Sequence, residues 1–600
     1  MPQPVPSVTV RPGPKTEVAN WRVASWAWAI PVVALAVLLG PLVLTSSTFG
    51  QDWPNHLWLM WQQSRNITAL GHPSYFLQSH LGAFYPLYAF YGGTLYALVG
   101  TVSALIGERP LVAYIASYAV AFTAAYAGCT WLSLQAGLRG WQAQIPGLIY
   151  VGSAYYLTSA YGRGDWPELV ATSSVPLLAA GGLYLVRADT VRVLPTFAYV
   201  GALVILTGSH VITLVWGTTF LLAVAAITCF AFRSTLRVSR RRLLGILALS
   251  AAAVGVNLWW LLPAFVYRHH VLIDQHSSVV KFLGGGSQNK ATEIFDPLRS
   301  NNLGPPPLFT ISPTNAKVPV VAAVWALVAL GFGWRTMSSA WRRVAVGLIC
   351  VALVLLALVM FHQPWLVVPP LWRNVQFVIR LQTYITLAVM GLVLVGALAI
   401  PAVGSQKIRR ALTGGLIAVG ALTGYQAYRQ VWTLPSVLPS RDTVFANQHS
   451  PPPSWYAEDD YADVAPPVVS PTLGVVSGLT ESNGQLSFPL VGPPRSSYSF
   501  PYVSSKAGTV WTNVLGGPEM VNVAGGRAVG RTPASWMVVS LPATSGRPGK
   551  LVFSAAHPWP VKLGIAGSVV SVLGLGIVLT WLGFSDIRRR RGRRRDSPSR

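Results

Sequence analysis

Apolar runs of about 17 to 25 residues recur along this chain, and each is long enough to cross a hydrocarbon core about 30 Å thick. Hydrophobic residues make up 52% of the 600 residues and charged residues only 10%, whereas about a quarter of a soluble protein is charged. A soluble fold would have to bury every run in one globule. We therefore expect an all-α, polytopic integral membrane protein, because helices satisfy their own backbone hydrogen bonds in lipid.

The formal net charge of +26 lies mainly between the apolar runs and in the tail from Arg588 to Arg595. Basic clusters beside membrane helices mark the cytoplasmic side and suit anionic lipid. This distribution predicts contact with membrane lipid and no nucleic-acid partner. The sequence also lacks a P-loop, a dinucleotide fingerprint and a His-Glu-x-x-His motif, which argues against a nucleotide-driven pump.

The basic clusters predict a topology with both termini in the cytoplasm. From Arg139 onward, two apolar runs separate consecutive clusters, so each pair of runs leaves and returns. Three runs precede Arg139, and we interpret the middle one, Phe84 to Ile106, as re-entrant or juxtamembrane; an external Arg139 is the alternative. About twelve spans result. The paired runs are 145–161 with 170–185, 194–207 with 211–232, 243–265 with 318–334, 344–361 with 381–400, and 411–428 with 561–584.

The composition also predicts where the domains lie. The short alternating stretches 536–541 and 550–553 lie in a region rich in Pro, Ser, Gly, Val and Thr, which predicts a small exported β-sandwich-like domain before the last span. The predicted parts are a cytoplasmic segment 1–23, a multispanning domain 24–428 with its first exported loop at 47–83, a β-rich domain 429–558, a last membrane helix 559–584, and a basic cytoplasmic tail 585–600.

Ionisable residues close to a membrane are costly, so the exported ones are candidate site residues. Asp52 follows the first span, and His56 lies four residues further on, about one helical turn. A carboxylate there suits a general base or a ligand of a divalent cation. An Asp followed by Pro54 fits a helix N-cap equally well.

The segment Tyr161 to Glu168 is a predicted external turn with three charges. Arg163 suits a phosphate, and Asp165 or Glu168 would supply a second carboxylate. The alternative is a structural turn in which the Arg pairs with its own acids and the Asp caps the next helix.

A third group of candidates lies further along the chain. Arg373 and Arg380 are both predicted to be exported, against the positive-inside trend, and Gln376 lies between them. Guanidinium groups near headgroups suit a lipid-linked phosphate, although both side chains would also fit simple snorkelling. His210 falls at a predicted external hairpin, where a structural role is the alternative to a functional one.

Five short motifs follow one another within residues 20 to 400. They are Asp52-Trp53-Pro54-Asn55-His56-Leu57, Tyr85-Pro86-Leu87-Tyr88, Tyr161-Gly162-Arg163-Gly164 with Glu168, Asn257-Leu258-Trp259-Trp260-Leu261-Leu262-Pro263-Ala264-Phe265, and Arg373-Asn374-Val375-Gln376-Phe377 with Arg380. In this order they resemble the YfhO-like membrane proteins and the group called 6-pyruvoyl-tetrahydropterin synthase-related membrane proteins, both similar to the GT-C superfamily of glycosyltransferases.

This resemblance implies a sugar donor carried on polyprenyl phosphate and an active site on the exported face. Asp52 would be the general base, with possible help from Mg²⁺ or Mn²⁺, and His56 would orient it or contact phosphate. Glu168 would be a second acid or an acceptor contact, while Arg163, Arg373 and Arg380 would hold the donor phosphate. Many GT-C enzymes have two adjacent acids in the first loop, whereas this chain has one.

The sequence thus predicts a membrane glycosyltransferase that acts on an envelope glycan, lipid or protein acceptor. The Arg-rich, Ala-rich and Gly-rich composition suggests a bacterial plasma membrane. Two alternatives remain open at this level. One is a transporter or flippase for a lipid-linked precursor, and the other is a non-catalytic envelope assembly protein that holds its β domain outside.

Overall fold

The computed structural model describes residues 29–44, 52–77, 84–236, 238–268, 295, 318–373, 375, 377–432, 480–482, 485–487, 494–502, 507–512, 514, 520–531, 537–545 and 547–595. Within these ranges the chain is mostly helical, with a small β region before its last helix. The predicted cytoplasmic segment 1–23, much of the predicted exported domain and Gln376 lie outside the described residues.

Nineteen helices are described, and they are numbered in chain order. They are α1 Ala29–Leu44, α2 Trp53–Leu70, α3 Leu87–Phe90, α4 Gly93–Leu105, α5 Pro110–Ala136, α6 Ile145–Val151, α7 Ala154–Leu157, α8 Trp166–Arg187, α9 Val193–Ser209, α10 Val211–Ala231, α11 Arg240–Gly255, α12 Leu258–Val266, α13 Val320–Gly333, α14 Ser339–Met360, α15 Gln363–Val367, α16 Pro370–Arg373, α17 Gln382–Ala399, α18 Gln406–Trp432 and α19 Trp559–Arg595. A π-helical turn covers Thr158–Arg163, and 3₁₀ turns cover Gly140–Ala143, Val378–Leu381 and Ile400–Ala402.

Six of the described helices are long and apolar enough to cross a membrane. They are α5, α8, α10, α14, α17 with its flanking turns, and α19. The bent pair α11 and α12, which meet at 74°, would make a seventh, and α1, α4, α9 and α13 are shorter apolar helices. Several apolar side chains on these helices are exposed, such as Leu222 at 66% and Val570 at 69%, as a lipid-facing surface requires. The chain is a multi-pass membrane protein, whereas the topology of about twelve spans stays a prediction.

Two of the apolar runs, a predicted span and the run predicted to be re-entrant or juxtamembrane, are interrupted helices in the structure. The run 145–161 consists of α6, α7 and part of the π-helical turn, and the helix breaks at Gly152 and the extended Ser153. The run 84–106 breaks between α3 and α4 at Gly92, which has φ of +58°. A Cβ at Gly92 would lie 2.5 Å from the Ser209 carbonyl oxygen. Close packing therefore fixes this break, and the hydropathy pattern does not reveal it.

The β region contains two sheets. The strands are β1 Thr480–Ser482, β2 Gln485–Ser487, β3 Ser497–Tyr502, β4 Gly508–Thr512, β5 Val521–Ala524, β6 Arg527–Arg531, β7 Met537–Leu541 and β8 Gly549–Ala555. One sheet has the order β1-β2-β4-β7-β6 and the other β3-β8-β5. β7 and β8 lie where the alternating pattern predicts strands, and the buried faces of both sheets contribute to one apolar core.

The core of the β region extends into the first loop of the membrane domain. Tyr75, Phe76 and Phe84 belong to the same buried cluster as β-region residues such as Phe553. The Phe84 ring meets the Tyr498 ring edge-on, with 5.8 Å between centroids. Because Tyr75 and Phe76 follow α2, the β region packs against the loop that joins α2 to α3.

Candidate functional site

Five ionisable side chains from distant parts of the chain meet in one buried group, here called the charge cluster. Arg163 and Asp165 lie just before α8, Glu168 lies in its first turn, His210 joins α9 to α10, and Arg380 lies in the turn that leads into α17. The Arg163, Asp165, Glu168 and Arg380 side chains are 11%, 3%, 2% and 7% exposed, and His210 is 3% exposed. All five lie at helix ends.

Both arginines bridge both acids. The Asp165 Oδ2 atom lies 3.0 Å from Arg163 NH2 and 3.2 Å from Arg380 NH2. The Glu168 Oε2 atom lies 3.4 Å from Arg163 NH1 and 3.3 Å from Arg380 Nε. The Tyr155 hydroxyl donates to Glu168 Oε1 at 2.8 Å. Each carboxylate is therefore paired with both guanidinium groups, which is the arrangement that buried ions need because an unpaired buried charge is strongly destabilising.

The local sequence explains how Asp165 is held. The π-helical turn ends at Gly164, whose φ of +67° suits glycine. Asp165 then caps α8, since its Oδ1 accepts the Glu168 backbone N–H at 3.3 Å. Burial raises the pKa of the Asp165 carboxyl, but the Arg380 and Arg163 charges outweigh burial and hold that pKa well below its usual range. Asp165 is therefore ionised at neutral pH.

Both ring nitrogens of His210 have polar partners. The Arg380 NH1 atom lies 3.0 Å from His210 Nε2, and a guanidinium can only donate. On the other side of the ring, Nδ1 accepts the Thr213 backbone N–H at 3.3 Å and lies 2.8 Å from the Thr213 hydroxyl, so the side chain caps α10. The structural role that the sequence left open for His210 is thus present, alongside contact with the charge cluster.

Asp52 reaches the charge cluster through its backbone. It occupies the N-cap position of α2 without a side-chain capping bond, and its N–H donates to the Arg163 carbonyl oxygen at 2.7 Å. Its partly exposed carboxylate interacts electrostatically with Arg163. The N-cap alternative predicts the position of this residue correctly, although the side chain does not make the capping bond.

His56 lies on the first turn of α2, where it is 4% exposed. Its Nδ1 lies 2.7 Å from the Tyr96 hydroxyl, and its ring stacks on Tyr91 with 6.2 Å between centroids. Burial lowers the pKa of His56 to about 4, opposed by the charge of Asp165 and assisted by Arg163 and Arg380. His56 is therefore a neutral hydrogen-bonding group at physiological pH.

The lowered pKa of His56 makes a prediction about acid stability. Between pH 6.5 and about 4 the unfolded chain binds a proton at His56 that the folded chain does not, so stability falls as pH decreases, by at most about 3 kcal/mol. The His56→Gln variant, which keeps a hydrogen-bonding group beside Tyr96, should lose this part of the acid dependence. Melting temperatures of the detergent-solubilised chain from pH 8 to 4 test this, with the exposed His72→Gln as control. Parallel curves for wild type and His56→Gln would contradict it.

The predicted site residue Arg373 makes its contacts away from the charge cluster. Arg373 turns to its own loop, where Nε donates to the Val368 carbonyl oxygen at 2.5 Å and NH2 to that of Leu366 at 2.9 Å. These bonds place Arg373 among local carbonyl groups, rather than with the acids that hold Arg163 and Arg380. Gln376 lies outside the described residues.

Two residues of the site were missed by sequence reasoning. Tyr155 lies in an apolar run and resembles core tyrosines, and only its need for a hydroxyl partner in an apolar environment hints at a role. The Phe377 ring lies 5.4 Å from the Arg163 guanidinium carbon and 5.7 Å from that of Arg380, so it contacts both cations.

The charge cluster contains donor atoms of the kind that the divalent cation implied by the resemblance would need. Asp165, Glu168 and His210 each offer a ligand atom, and these atoms lie within 4.8 Å of one another; Asp52 is not in this set. However, the Arg380 guanidinium contacts all three donors. A dication added to this buried group would lie against the Arg380 guanidinium, where water does not screen the repulsion between like charges. With Arg380 in this position, the residues do not fit a bound cation.

Structures similar to this chain belong to membrane glycosyltransferases. They include the arabinofuranosyltransferase AftD from Mycobacteria, at 14% identity and a TM-score of 0.42 over 69% of this chain and 28% of that one. They also include the Archaeoglobus fulgidus oligosaccharyltransferase in the apo form, at 12% identity and a TM-score of 0.44 over 73% and 60%. The structure of archaeal AglB with an inhibitory peptide and a dolichol-phosphate gives 13% and 0.43 over 72% and 59%.

The chain thus corresponds to less than two thirds of each of these proteins. No protein-family model matches the chain, and no curated protein matches its sequence.

Proposed function

We propose that this chain is a GT-C type membrane glycosyltransferase. It would take a sugar from a polyprenyl-phosphate donor and transfer it to a glycan, lipid or protein acceptor on the exported face of a bacterial plasma membrane. One observation carries the proposal. Asp52, a partly exposed acid, is bonded through its backbone to Arg163, whose buried guanidinium shares two acids with that of Arg380.

The roles follow from exposure and charge. Asp52 is the base, because it is partly exposed to an incoming hydroxyl, whereas Asp165 and Glu168 are each 2% exposed. Arg163, at 11% the most exposed of the ion-paired side chains, contacts the donor phosphate and stabilises the negative charge that develops on the leaving group. Arg380 holds Asp165 and Glu168 in place.

Neutral His56 lies one helical turn after Asp52 and is hydrogen-bonded to Tyr96. A hydrogen-bonding pair without charge orients hydroxyl groups and does not compete with Arg163 for the phosphate. The buried cluster is fixed before substrate arrives, and such preorganised charges do not have to reorient during the reaction.

Asp52→Asn and Asp52→Ala test the proposal. Both should reduce transfer by about 10² to 10⁴-fold, the usual contribution of a general base, while the protein still inserts and folds. The measurement is the envelope glycan profile of a deletion strain complemented with each variant at matched membrane abundance. Asp189→Asn, an exposed acid in the loop after α8, is the control. A full glycan profile with Asp52→Ala would refute the catalytic role and leave the transporter or assembly alternatives.

A further inference from the structure

The three metal-type donors of the charge cluster face the three nitrogens of one guanidinium. Arg380 NH1 lies 3.0 Å from His210 Nε2. Its NH2 lies 3.2 Å from Asp165 Oδ2, and its Nε lies 3.3 Å from Glu168 Oε2. Each donor atom therefore meets a different nitrogen of the same planar group.

We infer that the Arg380 guanidinium takes the position that a divalent cation would occupy among Asp165, Glu168 and His210. Two carboxylate oxygens and one imidazole nitrogen would suit Mn²⁺ or Zn²⁺. In this chain the positive charge comes from an arginine side chain, which cannot dissociate from the protein as a metal ion can. The native cluster holds its acids without a metal ion, and loss of Arg380 uncovers a cation site.

Charge and burial favour this arrangement over a metal ion beside Arg380. Arg163 and Arg380 both pair with the two acids, which are at most 3% exposed. Removing Arg380 takes away one of the two positive charges that hold these buried carboxylates, which is costly and favours a cation in its place. The Nε2 atom of His210, which lies 3.0 Å from Arg380 NH1, would then be directed at the vacated position.

Direct Mn²⁺ binding by the purified full chain in detergent tests the inference, and it does not depend on the proposed sugar transfer. The loss of the free Mn²⁺ signal in electron paramagnetic resonance measures binding. We expect wild type to bind no stoichiometric Mn²⁺ at the cluster. The Arg380→Ala variant should bind one equivalent of Mn²⁺, with an affinity roughly 100-fold above that of wild type. The substitution removes a competing positive charge and frees three ligands.

Two controls locate the binding. Arg373→Ala removes an arginine that is bonded to local carbonyl groups and should behave as wild type. Arg380→Ala combined with Asp165→Asn should lose the gained binding. The inference is overturned if wild type binds one equivalent that Asp165→Asn abolishes, or if folded Arg380→Ala binds no better than wild type.

A second measurement covers the case in which Arg380→Ala fails to fold. The melting temperature of wild type should be the same in Mn²⁺ and in a chelator, because a ligand that binds only the folded state raises it. An increase with Mn²⁺ that disappears in Glu168→Gln would overturn the inference. Arg380→Met, which keeps an apolar stem, provides a second variant without the guanidinium for the Mn²⁺-binding assay.

Discussion

Asp165→Ala should destabilise the folded membrane domain by about 3–5 kcal/mol, which is the usual cost of removing one partner from a buried ion pair. The carboxylate contacts both Arg163 and Arg380 and is 3% exposed. Its loss leaves Glu168 as the acid facing two guanidinium groups. It also removes the cap of α8, worth about another 1 kcal/mol. The measurement is the melting temperature of the detergent-solubilised chain at neutral pH.

A double-mutant cycle separates charge balance from simple loss of contacts. Asp165→Ala with Arg380→Met removes one charge of each sign, so Arg163 and Glu168 remain as a neutral pair. We expect the double variant to be more stable than the sum of the single costs by about 1–3 kcal/mol. Asp189→Ala, at an exposed position, should change stability by at most about 0.5 kcal/mol. Additive costs would show that charge balance does not hold the cluster together.

The turn before α8 illustrates how far local sequence can predict a site. Spacing alone offered an Arg that pairs with its own acids and an Asp that caps the next helix, and the structure has both contacts. These are short-range features, because Arg163, Asp165 and Glu168 lie within six residues. The roles of these residues in transfer stay predictions.

Contacts between distant parts of the chain could not be predicted from the sequence in this way. Arg373 and Arg380 were equivalent in the sequence, yet Arg373 contacts carbonyl groups five and seven residues away. Arg380 instead meets Asp165, which lies 215 residues away. Only tertiary packing distinguishes them, since the turn of Arg380 leads into the buried start of α17. Spacing in one dimension does not encode that choice.

Helix breaks have a similar origin. Hydropathy predicts that an apolar run exists, but it is blind to the contact that interrupts the helix. At Gly152 a Cβ would lie 2.8 Å from the Leu148 carbonyl oxygen and 3.0 Å from Thr423 Cγ2 on α18. The neighbouring helix thus approaches the backbone where α6 ends. The apolar run of α8 is therefore continuous, whereas the run before it is interrupted.

Gly164→Ala should separate the base from the charge cluster and abolish the proposed transfer. The φ of +67° disfavours any side chain. A Cβ there would also lie 2.7 Å from both the backbone nitrogen and the Cβ of Trp53. Since a backbone atom cannot rotate away, α2 has to move, and the 2.7 Å bond between Asp52 N and Arg163 O is the contact that it breaks. We expect a stability loss of about 2–4 kcal/mol, the sum of backbone strain and overpacking.

Gly71→Ala is the matched control, because Gly71 has φ of +76° and no atom within 4 Å of the added Cβ. It should cost only the backbone term, about 1 kcal/mol, and leave the glycan profile unchanged. Melting temperatures and glycan profiles of the two variants therefore isolate the contact between α2 and the turn before α8. Equal stability losses, or full transfer by Gly164→Ala, would mean that the proximity of Asp52 to Arg163 is not required. The structure would then give no reason to assign Asp52 a role at this cluster.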